Sequence, residues 1–168
     1  MIPVYQKIVE TGKGDCMRAV ICSLIGEPDI ETVPNFIEFN SWYEEMHRFL
    51  KDRGFKLHGG GLINKYYTML TNPSGSCFKE IKWHKPSLLN RTNIKKLEGI
   101  DGFLWGSVLS PKFITAKNGY FNTHAVVIDK ELNIVHDPNP EYKGILEYPL
   151  SKMLKYNGIY DVTNITRI

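Results

Sequence analysis

The stretch GDCMRAVIC, residues 14–22, begins a run that is apolar on nearly every side of a helix. Asp15 is a favourable N-cap residue, so we expect the helix to begin near Cys16, and Gly26 is a favourable residue to end it. A helix with so few polar residues is buried on most of its sides. The stretch therefore predicts a central helix, against which the rest of the chain packs.

The remaining pattern places helices early in the chain and strands late. Residues 41–54 predict a second helix, because Ser41 and Glu44 form a capping-box pattern and Gly54 follows as a stop signal. The other predicted elements are an edge strand over 3–10, a short strand and turn over 54–61, a surface helix over 90–100, and strands over 102–110, 124–128, 132–136, 144–149 and 158–168. This order indicates an α+β fold with an antiparallel sheet.

The length and composition are typical of a single domain, residues 1–168. A formal net charge of +3, without a dense basic cluster, does not indicate binding to nucleic acid. The cysteines at positions 16, 22 and 77 form no CxxC pair, which favours reduced thiols over a disulfide framework. The sequence has no signal-peptide pattern and no apolar stretch of about 18 residues, so we expect a cytoplasmic protein without a membrane partner.

A predicted hairpin of the runs 124–128 and 132–136 brings His124 and Asp137 together. A two-residue loop puts them directly opposite each other, and a four-residue loop makes them diagonal neighbours. Both loops keep them on one face, with His136 on the other, whereas a three-residue loop would separate them. Opposed residues have Cβ atoms roughly 4.5–5.5 Å apart, so an imidazole–carboxylate hydrogen bond is within reach.

The start of the central helix is a favourable position for a reactive thiol. The helix dipole favours the thiolate of Cys16, and backbone N–H groups at the same helix start can stabilise an oxyanion. A carboxylate of Asp137 bonded to His124 would fix the tautomer of the imidazole and stabilise its protonated form. These three residues predict a nucleophile, a base and an orienting carboxylate. Cys22 lies inside the apolar run and is expected to be an inert core residue.

The segments GDCMRAVICSLIGEPDIETVPNF and THAVVIDKELNIVHDPNP resemble the papain-like cysteine hydrolases, in particular their peptidase C39-like branch. They are also similar to a group of small phage-encoded proteins of this fold. The resemblance covers the first forty residues and roughly 102–142, and it implies a papain-like fold. It implies that Cys16 is the nucleophile, His124 the general base and Asp137 the orienting residue. Papain-like enzymes often use a Gln before the Cys as an oxyanion donor, which makes Gln6 the candidate here.

These observations predict a thiol hydrolase that cleaves an amide, peptide or isopeptide bond through a thioester. Its partners would be a peptide, a protein or a small amide, in the host cytoplasm if the protein is phage-encoded. Two alternatives stay open: a catalytically idle protein that captures a host protein or a signalling nucleotide, and an acyl transferase that uses the same triad. A metal site of Cys16, His124, His136 and Asp137 is disfavoured by the opposite facing of His136. No cofactor and no metal are expected.

Overall fold

The computed structural model describes residues 1–10, 13–62, 67–71, 78–83, 102–110, 123–142, 148, 159 and 161–168. The predicted surface helix over 90–100 lies outside the described residues, and so does the predicted strand over 144–149 except for Tyr148. The elements are the helices α1 (Cys16–Ile25) and α2 (Trp42–Asp52) and the strands β1 (Phe55–Leu62), β2 (Tyr67–Thr71), β3 (Phe78–Trp83), β4 (Leu104–Leu109), β5 (Thr123–Ile128), β6 (Ile134–His136) and β7 (Asp161–Arg167).

The strands form one large sheet and one small one. Within the described residues the large sheet has five strands in the order β1-β7-β4-β5-β6, and each neighbouring pair in it is antiparallel. The small sheet is the antiparallel pair of β2 and β3. Helix α1 packs on β5 and β4, and α2 packs on β1. The predicted α+β fold with an antiparallel sheet is confirmed.

Helix α1 has the bounds that its apolar run predicts, from Cys16 to a stop at Gly26. Residues 19–22 are fully buried, which agrees with a helix that has almost no polar face. Gly26 has a φ of 79°, the left-handed conformation that glycine adopts readily at the end of a helix. The hydroxyl of Ser23, also buried, accepts a hydrogen bond from the backbone N–H of Val4 at 3.0 Å. Ser23, a polar residue of the apolar run, therefore holds the N-terminal segment against α1.

The large sheet separates two hydrophobic cores, and β5 contributes side chains to both. Ala125 and Val127 belong to what we call the helix-side core, which they form with the apolar residues of α1 and α2. The other core, called the outer-face core below, consists of Leu104, Val108, Val126, Ile128, Leu132, Tyr148, Ile159 and Val162. Successive side chains of a strand point to opposite faces, so a strand buried on both faces reads as one continuous apolar run.

The N-terminal residues 3–10 pair with no strand of the described part of the chain, so the predicted edge strand is wrong. The segment instead runs from α1 to the end of β6. The backbone N–H of Ile2 donates to the carbonyl of Ser23 at 3.2 Å, and that of Gln6 donates to the carbonyl of Pro138 at 2.9 Å. These bonds to a helix and a loop satisfy backbone groups in place of a strand ladder.

Three further predicted elements are present, and each differs from its prediction in one detail. Helix α2 follows Ser41 and ends before Gly54, but the Ser41 side chain makes no capping hydrogen bond. The predicted short strand and turn over 54–61 is a longer strand, β1. The predicted strand over 132–136 is shortened to β6, because residues 129–133 form its loop. None of the described helices is long and apolar enough to span a membrane.

Candidate functional site

His124 and Asp137 are in direct contact at the open end of the β5–β6 hairpin. The Nε2 atom of His124 lies 2.7 Å from Oδ1 of Asp137. Their side chains are only 6% and 8% exposed, so water competes little for this hydrogen bond. The bond to Nε2 leaves Nδ1 as the ring nitrogen available to another partner.

The loop length and the register that bring His124 and Asp137 together differ from both predicted alternatives. The last pair is Ile128 with Ile134, so the loop contains residues 129–133, an odd number. The next pair is Val127 with His136, which leaves Val135 as an extra residue in β6. This β-bulge restores the face that an odd loop would have lost. The predicted two- and four-residue loops are therefore wrong, although the two side chains do meet.

Asp137 accepts two more hydrogen bonds that fix its carboxylate. The backbone N–H of Asn139 donates to Oδ1 at 2.8 Å. The hydroxyl of Tyr148 donates to Oδ2. No local sequence pattern indicates this contact of Tyr148 with the carboxylate, because the residue lies eleven positions beyond Asp137.

Cys16, at the first position of α1, interacts with the imidazole of His124 through a side-chain hydrogen bond. Burial alone would lower the pKa of His124. The side-chain hydrogen bonds with Asp137 and with Cys16, and the charge of both groups, outweigh burial and raise the pKa of His124 to about 9. The structure thus brings Cys16, His124 and Asp137 together, although Cys16 is separated from the other two by more than a hundred positions.

Cys22, the second cysteine of α1, has a different environment. It is fully buried in the helix-side core. Burial raises the pKa of its thiol to about 12, against a smaller opposing effect of the Arg18 charge. Because the thiolate is the reactive form of cysteine, this position is inert near neutral pH.

Asp15 occupies the N-cap position of α1 without capping the helix. Its carboxylate is fully buried and accepts hydrogen bonds from the backbone N–H groups of Lys7, at 3.3 Å, and Ile8, at 2.9 Å. The N-terminal segment is thereby tied to the residue before Cys16. The predicted role of Asp15 as a side-chain cap is wrong, since its oxygens bind this segment instead.

Gln6, the candidate oxyanion donor, lies in the same segment and is buried. Its backbone N–H donates to Pro138, the neighbour of Asp137, so its main chain is close to the site. Its side-chain Nε2 donates to the carbonyl of Ile8 at 3.0 Å. Its Oε1 is buried without a hydrogen-bond partner among the described residues. One of the two amide hydrogens is therefore already used inside the segment.

His136 lies on the other face of the hairpin from His124. Its Nε2 is 2.9 Å from the carbonyl of Val4, and its ring contacts the Tyr5 ring edge-on at 5.0 Å. It fixes the N-terminal segment to β6. Among the described residues, no group of three or more His, Cys, Asp or Glu side chains could hold a metal ion.

Comparison with known proteins found no relative of this chain. No protein-family model, no curated protein and no solved structure matches the chain. The functional interpretation therefore depends on the geometry of the site and on the residues of its motifs.

Proposed function

We propose that the protein is a thiol hydrolase of papain-like fold that cleaves an amide or peptide bond. In this proposal Cys16 is the nucleophile, His124 the proton carrier and Asp137 the residue that orients His124. The observation that supports it best is the position of the buried imidazole, which interacts with Cys16 and is 2.7 Å from Asp137. A buried imidazole with these two partners is the arrangement that nucleophilic catalysis requires.

The raised pKa of His124 defines the first half of the reaction. With a pKa of about 9, the imidazole carries its extra proton at neutral pH. The sulfur of Cys16 attacks the carbonyl carbon as a thiolate, and the carbonyl electron pair moves to oxygen. When the oxyanion collapses, the carbon–nitrogen bond breaks and the leaving amine takes the proton from Nδ1 of His124. The product is a thioester on Cys16 and a neutral imidazole.

The second half of the reaction uses that neutral imidazole as a base. Nδ1 accepts a proton from water, whose oxygen attacks the thioester carbon. Collapse of this second oxyanion breaks the carbon–sulfur bond, releases the acid and regenerates the thiolate with protonated His124. Asp137 stays ionised throughout and stabilises the imidazolium, so no additional reactant is needed.

The start of α1 supports the proposal because it has backbone N–H groups that can bind an oxyanion. The side chain of Asp15 binds the N-terminal segment and makes no hydrogen bond to the N–H groups of the first helical turn. These N–H groups lie beside Cys16, and the helix dipole adds positive potential there. They are the donors that an oxyanion formed on Cys16 would use.

An activated ester tests the proposal without knowledge of the natural substrate. We expect p-nitrophenyl acetate to acetylate Cys16 at pH 7 and the thioester to be hydrolysed, with both steps followed by mass spectrometry of the Cys16 peptide. Cys16→Ala should abolish the acetyl-enzyme. Cys22→Ala, the matched change in the same helix, should retain it. His124→Gln should slow acetylation by roughly 10²-fold or more, because the imidazolium partner of the thiolate is lost.

The opposite results would refute the proposal. If Cys16 is acetylated no faster than Cys22, or if His124→Gln reacts as fast as the wild type, no activated thiol is present at this position. An added amine distinguishes the acyl transferase alternative, because the acetyl group would then appear on the amine instead of in acetate.

A further inference from the structure

Asp137 is held by hydrogen bonds at both of its carboxylate oxygens. Oδ1 accepts from His124 and from the backbone of Asn139, at 2.7 and 2.8 Å, and Oδ2 accepts from the Tyr148 hydroxyl. With its side chain 8% exposed, the carboxylate depends on protein donors rather than on water. Tyr148 is the described side chain that holds Oδ2, so it controls the rotation of the carboxylate.

Tyr148 is well anchored for such a role. Its ring is 3% exposed and packs in the outer-face core, while its hydroxyl reaches Asp137. Burial, the charge of Asp137 and the hydrogen bond between them all raise the pKa of Tyr148 well above its usual value. The hydroxyl consequently stays protonated at any pH at which the protein functions, and it donates throughout.

We propose that Tyr148 is a positioning residue of this site, whose hydroxyl fixes the Asp137 carboxylate and draws negative charge away from His124, so that the thioester is hydrolysed efficiently. The inference depends on the proposed function for its catalytic consequence. Its structural part, the control of the Asp137–His124 pair, can be measured independently of any reaction.

The basicity of the Asp137 carboxylate determines how strongly His124 holds its additional proton. A hydrogen bond from a neutral phenol to a carboxylate lowers the basicity of that carboxylate. Without it, more negative charge faces His124 and the imidazole holds its proton more tightly. Hydrolysis of the thioester needs the neutral imidazole as a base, so a more basic His124 is neutral less often and slows this step at neutral pH.

Other ionisable groups near the imidazole must be separated from this effect. The described groups that interact with His124 or with its carboxylate are Cys16 from α1, Tyr142 after β6, and Tyr148. Cys16→Ser removes the thiol charge. Tyr142 provides a matched control, because its ring contacts His124 edge-on at 5.6 Å and its buried hydroxyl has no hydrogen-bond partner among the described residues.

The test is a titration of the His124 ring by NMR in the Cys16→Ser protein, with His124→Gln to assign the resonance. We expect Tyr148→Phe to raise the titration midpoint by about 0.5 to 1 pH unit. Tyr142→Phe, which removes a hydroxyl of the same kind without removing a hydrogen bond to Asp137, should leave the midpoint unchanged. Incorporation of 3-fluorotyrosine at position 148, whose phenol is a stronger donor, should lower it.

The fluorotyrosine variant keeps the volume of the side chain and provides a result even if Tyr148→Phe does not fold. An unchanged or lowered midpoint in Tyr148→Phe, or an unchanged or raised midpoint with 3-fluorotyrosine, would overturn the inference. With Cys16 present, Tyr148→Phe should hydrolyse the acetyl-enzyme roughly 3- to 10-fold more slowly at pH 7 while it still forms it. If no acetyl-enzyme forms in any variant, the proposed function fails, and the titration still decides the role of Tyr148.

Discussion

The two ends of the β5–β6 hairpin are stabilised in different ways. At the closed end, the loop 129–133 is held by local hydrogen bonds, because Asp129 accepts from the backbone and side-chain N–H groups of Asn133 at 2.7 and 3.0 Å. At the open end, His124 meets Asp137, thirteen positions away, and Cys16 from α1. The closed end depends on neighbours in sequence, whereas the contact of His124 with Asp137 at the open end depends on register.

The bulge at Val135 connects the two ends. Continuing the pairing of Ile128 with Ile134 without a bulge would put Asp137 opposite Ala125, which faces the helix-side core. A one-residue slip moves every following side chain to the other face of a sheet. The extra residue compensates for the odd loop, so Asp137 returns to the face of His124. Val135 is 41% exposed, which shows that its own packing is not the reason for its presence.

Insertion of one alanine between His136 and Asp137 should have the largest effect on this comparison. The inserted residue takes the place opposite Val126, so Asp137 moves opposite Ala125, towards the helix-side core, and away from His124. We expect acetylation of Cys16 by p-nitrophenyl acetate to fall roughly 10³-fold, as expected for a histidine that loses its carboxylate. The rate is measured from release of p-nitrophenol at pH 7.

A double insertion distinguishes register from general damage. Two alanines between His136 and Asp137 take the places opposite Val126 and Ala125, which returns Asp137 to the face of His124 and puts it directly opposite that residue. We expect this double insertion to recover part of the lost acetylation rate. A double insertion that folds and is as inactive as the single one would show that register does not control the site.

The sequence predicted the elements and the proximity of His124 and Asp137 more successfully than the connections between them. The bounds of α1 follow from an apolar run between an Asp and a Gly, and His124 and Asp137 flank β-rich runs, so both are encoded locally. The bulge and the contact of Tyr148 with Asp137 are not encoded locally, because they depend on how the hairpin packs between two cores. The predicted strand over 3–10 is wrong for a related reason. Its backbone groups form tertiary hydrogen bonds to α1 and to the segment after β6, and they do not pair with a described strand.

The pH dependence of stability provides the second test, at the open end. In the unfolded chain His124 loses its proton near pH 6.5, and in the native protein it does so near pH 9. The proposed thiolate of Cys16 would offset this proton uptake in the wild type, so the measurement uses Cys16→Ser, in which the free energy of unfolding falls as the pH rises from about 6.5 through the native pKa of the imidazole. The expected loss is about 1.4 kcal/mol for each unit by which the native pKa exceeds 6.5, measured by urea unfolding across this range.

His124→Gln should remove most of this pH dependence, because the variant has no group with that titration. His58→Gln is the matched control, since His58 is an exposed histidine of β1 and its loss leaves the three site residues in place. If the Cys16→Ser protein loses stability in parallel with and without His124→Gln between pH 6.5 and pH 9, the imidazole is not held protonated by Asp137.

The smallest effect is expected at the closed end, where Asp129→Ala removes both hydrogen bonds to Asn133. We expect the free energy of unfolding to fall by about 0.5–1.5 kcal/mol, because these bonds are exposed to water. Lys130→Ala is the control, since its exposed ammonium is 3.9 Å from Glu131 and contributes almost nothing. The His124 titration should be unchanged in Asp129→Ala, because Leu132 and Ile128 hold the loop in the outer-face core. A shifted titration would mean that the local bonds of the loop, and not the core and the bulge, set the register that the site requires.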